Sequence, residues 1–148
     1  MDTLRMQLEH QEGKRYKPYD DATGKELRTG DTLKGKLTVA IGWNMSDVPL
    51  PEEIVDRLYE ISISNVDNAL AKNLPWVSDM DDVRKDVIRN MCFNMGISRL
   101  LGFGNTLADC KAGDYISAAV RMRSSLWASQ VPVRAKELIQ QLETGMRS

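Results

Sequence analysis

The stretch EGKRYKPYDD at residues 12–21, followed by LTVAIG at residues 37–42, decides the fold. Before this stretch, leucines recur at helical spacing over residues 2–12, and Gly13 is a typical helix stop. From residue 16 to residue 44 the helical periodicity disappears, and glycines separate short runs of residues. This texture predicts a small antiparallel sheet, so one helix is expected to lead directly into a sheet.

A series of helices is predicted after the sheet. Pro51 is followed by two glutamates, which is a favourable first turn, and apolar positions then recur at helical spacing up to Pro75. Further helices are predicted over residues 78–95, 105–112, 114–125 and 132–145. The expected fold class is α+β and mainly α, in one domain with two lobes. The small β lobe covers residues 13–50, a connecting helix covers residues 51–72, and the helical lobe covers residues 73–148 together with 1–12.

The composition excludes several classes of protein. The chain has 148 residues, of which 42% are hydrophobic and 28% charged, and this suits one compact domain. Twenty basic and twenty-one acidic residues give a net charge of −1, whereas a dedicated nucleic-acid binder usually has a basic excess. No apolar run approaches the roughly 18 residues of a membrane span, and the first residues lack the apolar core of a secretory signal. Cys92 and Cys110 are interpreted as buried free thiols, with a disulfide between them as the alternative.

Carboxylates are the side chains that remain for chemistry. The one histidine, His10, is interpreted as a residue of a helix surface, and the sequence contains no phosphate-binding glycine loop and no metal motif. Glu12 ends the first helix at the entrance to the sheet, and Asp20 and Asp21 follow across a turn-rich segment. Two facing carboxylates, one protonated and one ionised, are what glycosidic-bond hydrolysis usually needs. Taken alone, the spacing also fits ordinary carboxylates at a helix end and in a turn.

These stretches resemble the signature of phage-type lysozymes, the endolysins of glycoside hydrolase family 24, whose pattern is Glu-Gly, then Tyr-x-Asp, then Thr-Ile-Gly-x-Gly. The nine-residue spacing from glutamate to aspartate is kept if Asp21 is the match. The resemblance continues to about residue 145, through NMCFNMG at residues 90–96, GFGNTL at residues 102–107 and PVRA at residues 132–135. It implies a lysozyme-like fold, with a small antiparallel sheet lobe and a helical lobe joined by a long helix.

The resemblance also implies roles for three residues of the first segment. Glu12 would be the general acid that protonates the leaving glycosidic oxygen. Asp21 would be the ionised partner that supports the attacking water, and Thr38 would help to hold that water. The family is generally described as inverting, and an inverting site keeps its carboxyl groups roughly 6.5–9.5 Å apart to admit a water.

Other residues match family positions in the second half of the chain. Arg134 matches an arginine that reaches the catalytic glutamate from the last helix. Four residues match the far wall of the cleft and are expected to bind saccharide: Phe93, Asn94, Asn105 and Thr106. For Phe93, ordinary core packing is the alternative.

The chain departs from the family pattern in two places. Residues 23–37 form an insertion, which is expected to be an extended hairpin tip. Ala40 and Trp43 replace a glycine and a histidine of the pattern, and Trp43 either alters packing or stacks on sugar. Asp20 is an alternative to Asp21 as the second carboxylate.

The function that these resemblances imply is that of an endolysin. It would hydrolyse the β-1,4 bond between N-acetylmuramic acid and N-acetylglucosamine in peptidoglycan and so lyse a bacterial host. It would need no cofactor, metal or nucleic acid and no stable membrane insertion, and it would act as a monomer. It would accumulate in the host cytoplasm until a separate holin-type pore gave access to the wall. The alternatives are a chitin-directed glycosidase and a catalytically silent relative that binds sugar or regulates lysis.

Overall fold

The computed structural model describes residues 2–148, and these residues form eight α-helices, a short 3₁₀ helix and one three-stranded sheet. The expected α+β and mainly helical class is confirmed. The chain divides into two compact units, and the boundary lies after Asp56, within the long second helix. Each unit is described by itself below.

The first unit begins with helix α1 (Thr3–Glu12). Its N-terminus is capped by Asp2, whose carboxylate accepts a hydrogen bond from the Arg5 N–H at 3.2 Å. At the other end, the N–H of Gly13 donates to the Glu9 carbonyl, and Gly13 has a φ of 79° that suits glycine. The predicted helix and its stop are therefore confirmed, and Glu12 is its last residue.

The sheet contains strands β1 (Arg15–Asp20), β2 (Leu37–Ala40) and β3 (Trp43–Asn44), in the order β1-β2-β3. Both pairings are antiparallel. Thr38 is the central position of the register, because it lies opposite Tyr19 on β1 and opposite Asn44 on β3. The predicted small antiparallel sheet is thus confirmed.

The extended hairpin tip predicted for residues 23–37 is not formed. Leu37 begins β2, but between β1 and β2 the chain makes turns, and its one bridge to the sheet joins Glu26 to Tyr19. Gly24 and Gly30 take positive φ values of 68° and 92°, which interrupt the extended backbone that a longer ladder would need. The insertion is therefore a folded loop.

The second unit is helical. Helix α2 (Glu52–Asn73) enters it and is followed by a 3₁₀ helix (Pro75–Asp79). The remaining helices are α3 (Asp82–Met95), α4 (Ile97–Leu101), α5 (Gly104–Lys111), α6 (Tyr115–Arg123), α7 (Leu126–Gln130) and α8 (Pro132–Thr144). The largest fully buried side chains of its core are Ile88, Met91, Leu100, Met122, Leu142 and Val87.

Two of the predicted helix boundaries are wrong. The helix predicted over residues 78–95 begins at Asp82, because Asp81 caps it by accepting the Arg84 N–H at 3.1 Å. The segment predicted over residues 114–125 ends at Arg123, and a separate short helix, α7, then starts after the capping side chain of Ser125. Helix α4 was not predicted.

Arg84 joins the start of α3 to the end of α8. Its guanidinium donates to the carbonyls of Leu142 and Glu143, at 2.7 and 3.0 Å, and lies 4.0 Å from the ring centre of Tyr115. Gly145 ends α8 in the left-handed conformation, and a Cβ there would come within 2.9 Å of the guanidinium. The C-terminal end of α8 is therefore stabilised by Arg84, which lies 58 positions before Leu142.

Cys92 and Cys110 are buried free thiols, as predicted. Burial raises the pKa of the Cys92 thiol and raises that of Cys110 to about 11. None of the helices over residues 2–148 is long and apolar enough to cross a membrane.

Candidate active site

Glu12 has an exposed side chain at the C-terminal end of α1, and it lies against the turn between β2 and β3. That turn contains Gly42, whose φ is 72°. A Cβ placed at Gly42 would lie 3.2 Å from Oε2 of Glu12, so the missing side chain leaves room for the carboxylate. The glycine that ends the second motif stretch therefore contributes directly to the surroundings of Glu12.

Asp20 and Asp21 differ sharply in their surroundings. Asp20 is only 2% exposed. Its Oδ1 accepts from the N–H groups of Ala22 and Gly35, both at 2.9 Å, and its Oδ2 accepts from the N–H of Lys34 at 2.7 Å. The hydrogen bond from Lys34 is the main cause that lowers the pKa of the Asp20 carboxyl. Asp20 is thus an ionised carboxylate enclosed by backbone donors.

The side chain of Asp21 is exposed, and hydrogen bonds join this residue to Lys36, which immediately precedes β2. Its Oδ1 accepts from the N–H of Lys36 at 2.6 Å, and its own N–H donates to the Lys36 carbonyl at 3.1 Å. Two hydrogen bonds to a single residue hold the backbone and the carboxylate of Asp21 in a defined direction. Of the two candidate carboxylates, Asp21 is the one that solvent can reach.

Thr38 is 4% exposed, on β2. Its Oγ1 donates to the carbonyl of Lys36 at 3.1 Å, which commits the hydroxyl proton and leaves the oxygen lone pairs to accept. Lys36 therefore bonds to both residues: its N–H to Asp21 and its carbonyl to Thr38. The structure brings together these two residues, which the sequence separates by the whole insertion.

The predicted saccharide contacts of the second unit fall into two places. Phe93 is 53% exposed on α3, and together with Asn94 and Arg134 it lines a groove of about 980 Å³. Asn105 and Thr106, on α5, line another groove of about 470 Å³. Thr106 is 5% exposed, so its side chain is largely enclosed.

Several of these side chains also have structural partners. Oδ1 of Asn94 accepts from the indole N–H of Trp127 at 2.8 Å, which leaves the amide nitrogen of Asn94 to face other groups. Arg134 lies in the first turn of α8, where Pro132 opens the helix. Core packing, the alternative for Phe93, does not fit a ring that is half exposed.

Trp43 is half-buried on β3, opposite Val39 on β2. Its indole N–H is shielded from solvent and has no hydrogen-bond partner among the described residues. A shielded N–H fits the packing role better than stacking on sugar, because a stacking indole usually keeps its polar edge in water.

The structure adds residues that sequence reasoning did not assign. Gly42, Lys36 and Gly35 shape the surroundings of the predicted catalytic residues, and the signal available for Gly42 was its place in the Ile-Gly pair of the motif. Within residues 2–148, no group of three or more His, Cys, Asp or Glu side chains is placed to hold a metal ion.

Comparison with known proteins gives relatives that include two with similar names. The chain is 32% identical over 94 residues to "Probable T4-type lysozyme 1" of Dictyostelium discoideum, and the match covers 61% of the chain and 55% of that relative. It is 23% identical over 162 residues to "Probable T4-type lysozyme 2" of the same organism, and this match covers 97% of the chain and 95% of the relative. The first match thus spans about half of the relative's length. No family model matches.

The two matches agree with the architecture. A mostly helical chain with a three-stranded antiparallel sheet, which carries its Glu-Gly pair at the end of the first helix, is similar over nearly its full length to a T4-type lysozyme. The chain is therefore similar to T4-type lysozymes in sequence, and its fold is consistent with that similarity.

Proposed function

We propose that the chain is a muramidase, which hydrolyses the β-1,4 bond between N-acetylmuramic acid and N-acetylglucosamine in peptidoglycan. The observation that carries this proposal is that three residues of the predicted site lie in one compact unit. Glu12 is at the end of a helix, and Asp21 and Thr38 are both hydrogen-bonded to Lys36. These residue types match an acid, a base and a water-binding hydroxyl. The lysozyme names of the relatives support the same reaction class.

In the proposed mechanism, Glu12 gives its proton to the glycosidic oxygen as the bond from that oxygen to C1 breaks. Asp21 accepts a proton from the water that attacks C1 from the opposite face, which gives inversion. Thr38 accepts a hydrogen bond from the same water, because its own proton already binds the Lys36 carbonyl. The products are two saccharide chains, one of which has a new reducing end.

Residues of the second unit are proposed to bind the glycan. The exposed ring of Phe93 offers a face for a sugar ring, and the amide nitrogen of Asn94 can donate to a sugar oxygen. Asn105 and Thr106 are assigned to the same task at the second groove. Arg134, which the sequence resemblance matches to a supporting arginine, lines the same groove as Phe93 and Asn94.

We also propose an endolysin role, in which the protein is made in the cytoplasm of a bacterial host and a holin-type pore gives it access to the wall. This role depends on the sequence resemblance, because the two relatives described above come from Dictyostelium discoideum. Expression in a bacterium with and without a co-expressed pore tests it. Lysis that requires both proteins is the expected result, and lysis without the pore would contradict this route to the wall.

The experiment that tests the muramidase proposal compares Glu12→Gln with the parent on purified peptidoglycan. Removal of a general acid is expected to lower the release of reducing ends by at least about a hundredfold. Glu9→Gln is the matched control, because Glu9 lies on the same helix and pairs with Arg5 at 2.9 Å. Its activity should stay within about twofold of the parent, since an exposed helix pair contributes little.

The chemistry of the new ends separates the alternatives. Muramic acid at the new reducing ends would support a muramidase, whereas cleavage of chitin oligomers in preference to peptidoglycan would indicate the chitin-directed enzyme. A parent that binds walls and releases no reducing ends would indicate a silent relative. Glu12→Gln with the parent's rate would overturn the assigned acid.

A further inference from the structure

The loop between Asp21 and Lys36 is closed by a side chain. Within β1, Asp20 reaches across the loop to the N–H groups of Lys34 and Gly35, which lie 14 and 15 residues later. It also accepts from Ala22 at the near end of the loop. One carboxylate therefore ties the start of the loop to its end.

Backbone bonds hold the first half of this loop and its last residue, Lys36, whose carbonyl accepts from the Asp21 N–H. The N–H of Asp20 donates to the Lys25 carbonyl at 3.0 Å, and the N–H of Leu27 donates to Pro18 at 2.9 Å. These bonds hold residues 25–27 beside β1. The returning end at residues 34–35 is tied to the start of the loop by the Asp20 carboxylate, immediately before Lys36 orients the Asp21 carboxylate.

The fit at the end of the loop is tight. A Cβ at Gly35 would overlap Oδ1 of Asp21 and would come within 2.9 Å of the Ala22 nitrogen. Oδ1 of Asp21 thus lies between the N–H of Lys36 and the backbone of Gly35, which Asp20 binds. A shift of residues 34–35 by one ångström would change the direction of the Asp21 carboxylate. Displacements of this size can lower the reaction rate by about a hundredfold.

We infer that Asp20 is a positioning residue for the glycosidase reaction, because its carboxylate clamps residues 34–35 and thereby sets the orientation of Asp21 and Thr38. The inference rests on the proposed function, in which Asp21 is the base. Asp20 does not itself serve as that base, since three backbone N–H groups occupy its two oxygens and its side chain is buried. The negative charge of Asp20 serves to bind these three N–H groups.

The test uses Asp20→Asn, with Asp31→Asn as the matched control. An asparagine at position 20 keeps one acceptor oxygen and presents an NH₂ group that cannot accept from Lys34. Asp31 is also a loop carboxylate that accepts a backbone N–H, from Arg28 at 2.8 Å, but that bond lies within the tip of the loop. Asp20→Glu keeps the negative charge but moves the carboxylate by one methylene group relative to its donors.

Two measurements are made on each protein. In steady-state kinetics on solubilised peptidoglycan, Asp20→Asn should lower kcat by at least about tenfold while KM changes less than twofold, because the acid, base and glycan contacts remain but the base is misaligned. In native-state trypsin digestion followed by mass spectrometry, cleavage after Lys34 should be at least about fivefold faster in Asp20→Asn. The reason is that residues 34–35 lose hydrogen bonding to the side chain of residue 20. Asp31→Asn should match the parent in both measurements.

The outcomes separate the clamp from the muramidase proposal. The trypsin measurement reports the clamp even if the parent has no glycosidase activity, so failure of one proposal does not hide failure of the other. Loss of kcat with parent-like resistance at Lys34 would show Asp20 acting directly on the reaction and would overturn the inference. So would faster cleavage with the parent's kcat. Asp20→Glu, which should lower kcat and speed cleavage after Lys34 in the same way, keeps the inference testable if Asp20→Asn does not fold.

Discussion

The carboxylate of Glu12 packs against the backbone of Gly42, so closely that a Cβ at position 42 would lie 3.3 Å from both Cγ and Cδ of the glutamate. Glu12 ends a helix and Gly42 lies in the turn between two strands, so this contact joins the two kinds of structure in the first unit. The proposed general acid therefore has its position limited by a residue that carries no side chain.

Gly42→Ala is expected to reduce activity by at least about tenfold, because the new methyl group displaces the Glu12 carboxylate. The positive φ at position 42 should also cost about 1 kcal/mol of unfolding free energy. Gly30→Ala is the matched control, since its φ is 92° and a Cβ there meets no atom within 4 Å. Both variants should lose stability in urea unfolding, but only Gly42→Ala should lose release of reducing ends. Equal activities would contradict the proposed role of the contact.

Arg84→Ala should destabilise the second unit by about 2–3 kcal/mol, because it leaves the carbonyls at the end of α8 without their charged donor. Arg57→Ala removes an exposed arginine whose partner, Glu60, lies three residues along the same helix, and it should change stability by no more than about 0.5 kcal/mol. Urea unfolding at neutral pH measures both. Similar losses in the two variants would show that the bonds of Arg84 to α8 contribute little.

The indoles of Trp43 and Trp127 provide a paired test. Trp127→Phe removes the hydrogen bond to Asn94 and should cost about 1–2 kcal/mol, even though the edge-to-face contact with Phe103 can remain. Trp43→Phe removes an N–H that has no partner among residues 2–148, so its cost should be lower by at least about 1 kcal/mol. Thermal unfolding of the two variants gives the comparison. An equal loss would mean that the N–H of Trp43 is satisfied in solution.

The Asp20 carboxylate predicts a pH dependence of stability. Its folded-state pKa lies below the unfolded value near 4, so the unfolded chain binds the proton more readily. The stabilisation is therefore fully present above the unfolded pKa and is lost as the pH falls through the folded pKa. Urea midpoints of the parent and of Asp20→Asn should differ most at pH 6 and converge towards pH 3. A gap that stays constant over this range would show that ionisation of Asp20 does not contribute.

Local signals in the sequence predicted most of the architecture. Gly13 was expected to end the first helix, and it is the residue at which α1 ends, with a positive φ. The start of α3 was placed too early because Ser78 and Asp81 are both favourable capping residues, and in the structure Asp81 caps the helix after the 3₁₀ helix. Helix α4 has only five residues, too few for a periodic pattern to show.

The candidate site was less predictable because its geometry depends on distant residues. Spacing left Asp20 and Asp21 as alternatives, since adjacent residues on a strand point to opposite faces and the sequence does not show which face is covered. Their difference comes from Lys34, Gly35 and Lys36, which return from the loop some 15 positions later. A loop without periodicity gives no signal of where its end will lie.

The tip of that loop is a separate structural piece. Between Arg28 and Asp31 the chain closes a turn on itself, with one bond from the Arg28 N–H to the Asp31 carboxylate and another from the Asp31 N–H to the Arg28 carbonyl. Its ends are held by residues 25–27 on one side and by the Asp20 bonds on the other. A longer or different segment can therefore be grafted at residues 28–33, so this tip offers a place where a new binding specificity could be added beside the sheet without redesigning the sheet itself.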